Sequence, residues 1–287
     1  MISFDKLEKT DVSDSSVRVR AEAFYKGTVE VSKFAQSVMI PLLASLIKLN
    51  DRERAIFGTY YRMYLWIRPM AGMNSRTYYQ ATAAAARALF ELLLDMKILT
   101  TDKTGELVEK FHAFPDVEKF RVADNLVSFC ESHPDITIPN VAHRRTFINK
   151  PGTRQSVDQT IIKYWGIGKK GKPKRPKHWT GKNVPSRAHG LGLQYEELYF
   201  RLYPVLCWNI HSGSTSYAGF SVDGLDACFG VCHSVAQEAF LDATLICAQE
   251  MKISKVLDWL PNVIADLRQT PARVLTEKSI KMLEKAE

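Results

Sequence analysis

The sequence predicts an all-α protein, and three observations carry that expectation. Apolar residues recur at three- and four-residue spacing through most of the 287 positions, the period of one helix face. The alternation of strand and helix that builds a parallel sheet is missing. No phosphate-binding glycine motif sits in its required strand-to-helix setting; "GLGLQ" at Gly190 follows a loop-like stretch instead. With 46% hydrophobic and 24% charged residues, the chain has globular composition. It is long enough to bury a core without disulfides or a structural metal. One helical domain over residues 1–287 is expected, carrying an irregular basic loop or hairpin insertion over 134–192.

The elements follow in order. After a polar leader, "SVRVRAEAFYKGTVEVSKFAQSVMIPLLASLIKL" is periodic and interrupted near Pro41. "DRERAIFGTYYRMYLWIR" predicts a second helix, with Asp51 as N-cap and Pro69 as its stop. "SRTYYQATAAAARALFELLLDMKIL" is rich in the best helix formers. Its alanines, Ala83 to Ala86, would let neighbouring helices approach closely, which suits a central position. "ELVEKFHAFPDVEKFRVADNLVSFCESHP" predicts one or two helices broken at Pro115. Prolines and glycines then cluster, and "GIGKKGKPKRPKHWTGKN" reads as a basic connection of the kind that is functional or mobile when this long. A helix from Tyr195 runs through Pro204 to "HSGSTSYAGFSVDGLD". The long helix "ACFGVCHSVAQEAFLDATLICAQEMK", "ISKVLDWLPNVIADLRQ" and a charged tail complete the chain.

The formal net charge of +8 favours acidic partners, RNA or DNA among them. Cys130, Cys207, Cys228, Cys232 and Cys247 lie in apolar segments with no framework spacing, as expected of free thiols in a reducing compartment. The leader "MISFDKLEKTDVSDSS" is too polar for a signal peptide. No apolar run approaches the roughly 20 residues that span a bilayer. A cytoplasmic protein without membrane association is expected, and no cofactor motif occurs.

Candidate chemistry begins on the helix that leads to the Gly/Ser break. Tyr195, Tyr199, Tyr203, Cys207 and His211 recur every four residues, so they form one stripe. Three phenols leading to an imidazole can line a pocket, with Tyr199 and Tyr203 binding substrate and Asn209 orienting it. His211, near neutral in its ordinary pKa, is a candidate general acid or base. As a structural residue, it would cap the helix end. Arg87 and Glu91 stand four apart in one of the most apolar segments. They form either an internal salt bridge that fixes packing or a carboxylate-held arginine facing an anion. Lys169, Lys170, Lys172, Lys174, Arg175 and Lys177 lie close to Trp165 and Trp179, a pattern suited to a phosphate backbone and stacked bases or to a solvated loop. Cys228, Cys232 and His233 lack a second ligand pair with zinc spacing. They are expected to be core residues, and no metal is expected.

"AARALFELLLDMKIL", "KHWTGKN" and "YEELYFRLYPVLCWNIHSGS", in that order, resemble the motifs of a bacterial all-helical family of unknown function, over roughly residues 30–250. That family combines an R-x-x-x-E helix, a His-Trp segment and a tyrosine-spaced helix ending in histidine. The resemblance makes Arg87, Glu91, Trp179, Tyr199, Tyr203 and His211 its site positions. Many relatives carry serine where this chain has Pro204. The family is in turn similar to HEPN bundles, helical domains of prokaryotic defence and toxin systems, many of them ribonucleases that commonly pair. The resemblance therefore implies a HEPN-like fold, a ribonuclease and a homodimer. The HEPN R-x(4-6)-H motif is absent, since the nearest arginine before His211 is Arg201; Arg87 would have to substitute. The expected function is nucleic-acid binding, with RNA cleavage by His211 and Arg87. The alternative is a non-catalytic helical scaffold or regulator in which these residues are structural.

Overall fold

The computed structural model describes residues 15–46, 48–168, 171–208 and 221–283, and these are helical almost throughout. The isolated bridge from Ile167 to Pro173 is the only extended pairing among them. The fold is all-α. It divides into two compact units, one formed by residues 1–101 and 187–287 and the other by Asp102–Ser186.

In the first unit, α1 (Ser15–Phe34) passes through a π-helical turn, Ala35–Met39, into α2 (Ile40–Ala44). The widened turn answers Pro41. A proline ring crowds the carbonyl four residues back and brings no N–H to it, and here the Ile40 amide reaches five residues back to the Ala35 carbonyl. α3 (Asp51–Met70) is capped by Asn50, not Asp51. The Asn50 side chain accepts from the Glu53 amide at 3.0 Å and the Glu53 carboxylate accepts from the Asn50 amide at 2.9 Å, a reciprocal capping box. The helix contains Pro69 in its last turn, on an exposed side where solvent can satisfy the Leu65 carbonyl that the ring deprives of its bond. A 3-10 turn, Arg76–Tyr78, opens α4 (Tyr79–Thr100). Ala83, Ala85 and Ala86 of α4 are buried, and the helix packs against α3.

The rest of the first unit returns after the second. α5 (Glu106–Ser132), α6 (Val141–Asn149), α7 (Thr153–Trp165) and α8 (Val184–Gly190) lead to α9 (Leu193–Trp208), which continues through Pro204. α10 (Val222–Glu250), 29 residues long, packs against α1, α3 and α4. α11 (Ser254–Leu257), α12 (Leu260–Arg268) and α13 (Thr270–Leu283) close the chain, and the last two also lie against α1. Two arginines tie helix ends together. Arg52 bonds Glu250 at 2.8 Å and the Thr100 carbonyl at 3.0 Å, while Arg76 bonds Asp226 at 2.9 Å. The α1–α10 seam is close enough that a side chain at Gly230 would press on the Ala21 backbone at 3.0 Å. Thr28 bridges it through His233 Nδ1 at 2.9 Å and Gln237 at 3.2 Å.

The second unit has its own core of Phe120, Ala123, Val127 and Ile148, with Val141 and Val157 against it. α5 packs on both α6 and α7. Its start is organised by Asp102, whose carboxylate accepts from the amides of Thr104, Gly105 and Val108 at 2.9–3.1 Å. Burial pushes the Asp102 pKa up, but these bonds outweigh it and hold it below the ordinary value. α5 is unbroken at Pro115, which lies on its exposed side, where solvent can satisfy the carbonyl the ring displaces. Helix also fills much of the stretch expected to be irregular. Pro134, Pro139 and Pro151 precede α6 and α7 rather than marking one long loop. The irregular remainder centres on residues 166–168 and 171–183, where the Gly168 amide donates to the Lys172 carbonyl at 2.7 Å and the Lys174 amide to the Gly166 carbonyl at 3.0 Å.

Cys232 and His233 are buried in the first unit, at 2% and 0% exposure. Burial drives the His233 pKa down to about 4 and the Cys232 and Cys247 thiols up to about 12. The unfolded histidine binds its proton near pH 6.5, so between that value and about 4 the unfolded chain holds more protons than the folded one. Stability should therefore be fully present above pH 6.5 and fall by about 3 kcal/mol as pH drops towards 4. Urea unfolding at pH 7 and pH 4.5 checks this. His233→Gln should flatten the difference between the two pH values, whatever it does to stability at neutral pH.

Candidate functional site

The residues singled out on α4 and α9 meet within the first unit. Arg87, Glu91 and Asp95 follow one another at four-residue steps along α4, so they share a face. Arg87 Nε donates to Glu91 Oε1 at 2.9 Å. The same oxygen accepts from the Tyr203 hydroxyl at 2.7 Å. Oε2 accepts from Arg187 at 3.3 Å. Glu91 thus receives three donors from three places in the chain, and it is the hub of the cluster.

Aromatic contacts fix how α9 lies on α4. The Arg87 guanidinium sits 5.2 Å from the Tyr203 ring centre and the Lys97 ammonium 5.8 Å from that of Tyr195. Since Arg87 precedes Lys97 while Tyr203 follows Tyr195, the two helices run antiparallel. Tyr199 and Tyr203 stack at 5.1 Å, and Tyr203 also touches Phe90. The four-residue stripe of α9 therefore faces the charged stripe of α4, as helical periodicity requires of two packed faces. Burial and the neighbouring Glu91 carboxylate hold the Tyr203 hydroxyl well above its ordinary pKa, so it serves as a neutral donor. Burial also raises the Cys207 thiol, which removes its nucleophilic thiolate at neutral pH. Burial opposes the charge on Arg87, yet Glu91, Tyr203 and Cys207 outweigh it and keep its pKa above the usual value.

Two further members of the cluster escaped the sequence reading. Arg187, at the start of the returning chain, is 3% exposed and Asp95 6%. Arg187 donates to Asp95 Oδ1 at 2.6 Å and to the Glu91 carbonyl at 3.4 Å, while its Nε is buried without a partner among the described residues. Asp95 was legible as the next step after Arg87 and Glu91. Arg187 gave no signal, because "PSRAHG" is too short and polar to show a buried face.

The remaining expected positions lie elsewhere. Asn209, His211, Lys169 and Lys170 fall outside the described residues. Trp179 belongs to the second unit and is 3% exposed; its ring meets Phe111 edge-on at 5.3 Å and its carbonyl accepts from Trp165 at 2.8 Å. Lys172, Lys174, Arg175 and Lys177 are exposed in that unit, with Arg175 bonded to Asp124 at 3.2 Å. Cys228 is half-buried with its thiol pKa raised by burial.

The buried and half-buried pairs should respond differently to truncation. Arg187→Ala removes the buried cation that Asp95 pairs with, and should cost about 3–5 kcal/mol. Arg187→Lys should recover little of it, because lysine lacks the planar fork that reaches two acceptors. Arg87 is 28% exposed on its side chain, so solvent screens its loss and Arg87→Ala should cost only about 1 kcal/mol. Urea unfolding of the three variants checks the order.

A model of the family of unknown function DUF5677 matches residues 54–225, well over half the sequence, and the chain belongs to that family. The matched span includes both α4 and α9. No curated protein and no solved structure matches the chain. Among the described residues, no helix is long and apolar enough to cross a membrane.

Proposed function

We propose that this DUF5677 member binds nucleic acid, RNA in the first instance, and cuts it with His211 and Arg87. The observation that carries the binding half is where the charge falls. Residues 102–186 hold sixteen lysines and arginines against nine acids, a net +7, while the rest of the chain holds twenty-three against twenty-two, a net +1. Almost all of the +8 therefore belongs to the second unit, and its exposed Lys172, Lys174, Arg175 and Lys177 suit phosphate contacts. Such contacts are sequence-independent and release counterions, which makes them strongly salt-dependent.

In the cleavage half, His211 takes the proton of a ribose 2′-hydroxyl as its oxygen bonds to phosphorus. The bond from phosphorus to the 5′-oxygen breaks, and that oxygen receives the proton back from His211, which returns to its neutral form. Arg87, held by Glu91, meets the charge that develops on the phosphate oxygens. Tyr199 and Tyr203 support this reading as an aromatic wall beside the guanidinium. On the sequence resemblance to HEPN bundles alone, we extend the proposal to a paired, cytoplasmic protein of a prokaryotic defence or toxin system.

A second reading has its own support. Arg187–Asp95 is nearly removed from water and Glu91 accepts from three donors, which suits a purely structural connector between α4, α8 and α9.

End-labelled single-stranded RNA, incubated without metal and then with magnesium, decides between them. Wild-type cleavage should fall at least a hundredfold in His211→Ala and in folded Arg87→Ala. Replacing Lys172, Lys174 and Lys177 together by alanine should reduce the slope of log affinity against log salt by about 2, at ~0.7 per single-strand phosphate contact. RNA bound but intact in every lane would remove the catalytic half. Absence of binding at low salt would leave the scaffold reading.

A further inference from the structure

The second unit carries a surface that the nucleic-acid reading does not use. α5 and α6 leave a groove of about 680 Å³ between them. Its floor is apolar, formed by Pro115, Val122 and Ala123 of α5 and Phe147 of α6. Val122 is 48% exposed and Phe147 39%. Past Phe147 the depression continues by Thr146 and Pro151 to a hollow between α6 and α7 that includes Ile162, 43% exposed. Apolar side chains that follow one another along a continuous depression mark an interaction surface rather than scattered surface residues.

The walls are basic on balance. Lys119 and Arg144 edge the first hollow, and Lys150 and Arg154 the next two, with Asp158 the one acid lining the last. Lys119 pairs with Asp116 and Arg154 with Asp124, but Arg144 and Lys150 have no carboxylate partner among the described residues. The acid in the first wall is Glu118. One of its oxygens accepts from Arg121 at 2.6 Å. The other, Oε1, is buried, so little of its charge faces the groove.

We propose that this groove binds an amphipathic helix of another protein whose apolar face is flanked by carboxylates. The apolar ridge of such a helix fills the floor as a helix-in-groove complex does. Its carboxylates meet Arg144 and Lys150. A second copy of this face is a poor occupant, because the unit is net +7 and like charge repels. RNA is also poor, since phosphates and ribose do not cover aliphatic side chains such as Val122.

The test uses the full chain and a fluorescein-labelled helical peptide of about five turns, with leucine and phenylalanine on one face and glutamate flanking it. Anisotropy should show saturable binding. The same peptide with lysine in place of glutamate should bind at least tenfold more weakly. Arg144→Glu and Lys150→Glu should each weaken the glutamate peptide at least fivefold, and Val122→Glu at least tenfold, with the melting temperature unchanged. Should Val122→Glu fail to fold, the two charge reversals carry the result. The proposal is overturned by no saturable binding, by equal binding of the lysine peptide, or by displacement of the peptide by single-stranded RNA. It is also overturned if light scattering shows that this face pairs two copies in a way Val122→Glu abolishes. Because RNA binding is read through Lys172, Lys174 and Lys177, failure of either proposal leaves the other standing.

Discussion

The ion pair between Arg187 and Asp95 is the constraint around which the candidate site is arranged. Both groups are almost fully withdrawn from water, so their charges are tolerable only together. The chain re-enters the first unit at Arg187, and pairing there fixes where the returning segment begins. α9 follows at once, and its tyrosines are delivered to α4 in one register: Tyr195 at Lys97 and Tyr203 at Arg87. Glu91 then receives Arg87, Arg187 and Tyr203 together. A carboxylate with three donors cannot easily turn away, and the Arg87 guanidinium is held at a half-exposed position as a result. The same interactions would serve catalysis or stability, because a rigid, charge-balanced cluster is what both demand.

The two units differ in chemistry. The first is nearly neutral and is held by long helices, α1, α4 and α10, in contact through small residues and a few fully bonded polar groups. Gly230 against Ala21 and Thr28 with His233 and Gln237 are the clearest instances. The second is small, strongly basic and apolar on part of its surface. A small unit cannot bury all its large side chains, and here Val122, Phe147 and Ile162 line adjoining surface hollows whose edges are basic on balance. Charge that is useless for folding and apolar surface that is costly in water are both consistent with partners.

Much of the fold was legible from periodicity. α3, α4 and the long α10 stand where the apolar spacing puts them, since each is long enough for several turns to repeat the signal. The errors came at prolines and short segments. Pro69 and Pro115 lie inside helices, because both are exposed and solvent replaces the one hydrogen bond each removes. α6 and α7 were masked by the prolines that precede them, which mark helix starts as readily as loops. At the site, Arg87, Glu91 and the tyrosine stripe could be read as helical faces. Arg187 could not, since its burial comes from a contact 92 residues away in sequence.

The sequence by itself determined the helical class, the family and the charged and aromatic stripes, because these depend on residue type and local spacing. Only the tertiary structure decided that the two stripes face each other in antiparallel register, that Arg187 and Asp95 complete the cluster, and that α5 and α6 leave an apolar groove with basic walls. Those features depend on which distant segments meet. Long-range packing and the pairing of buried charges settle that, and neither leaves a periodic trace in the chain.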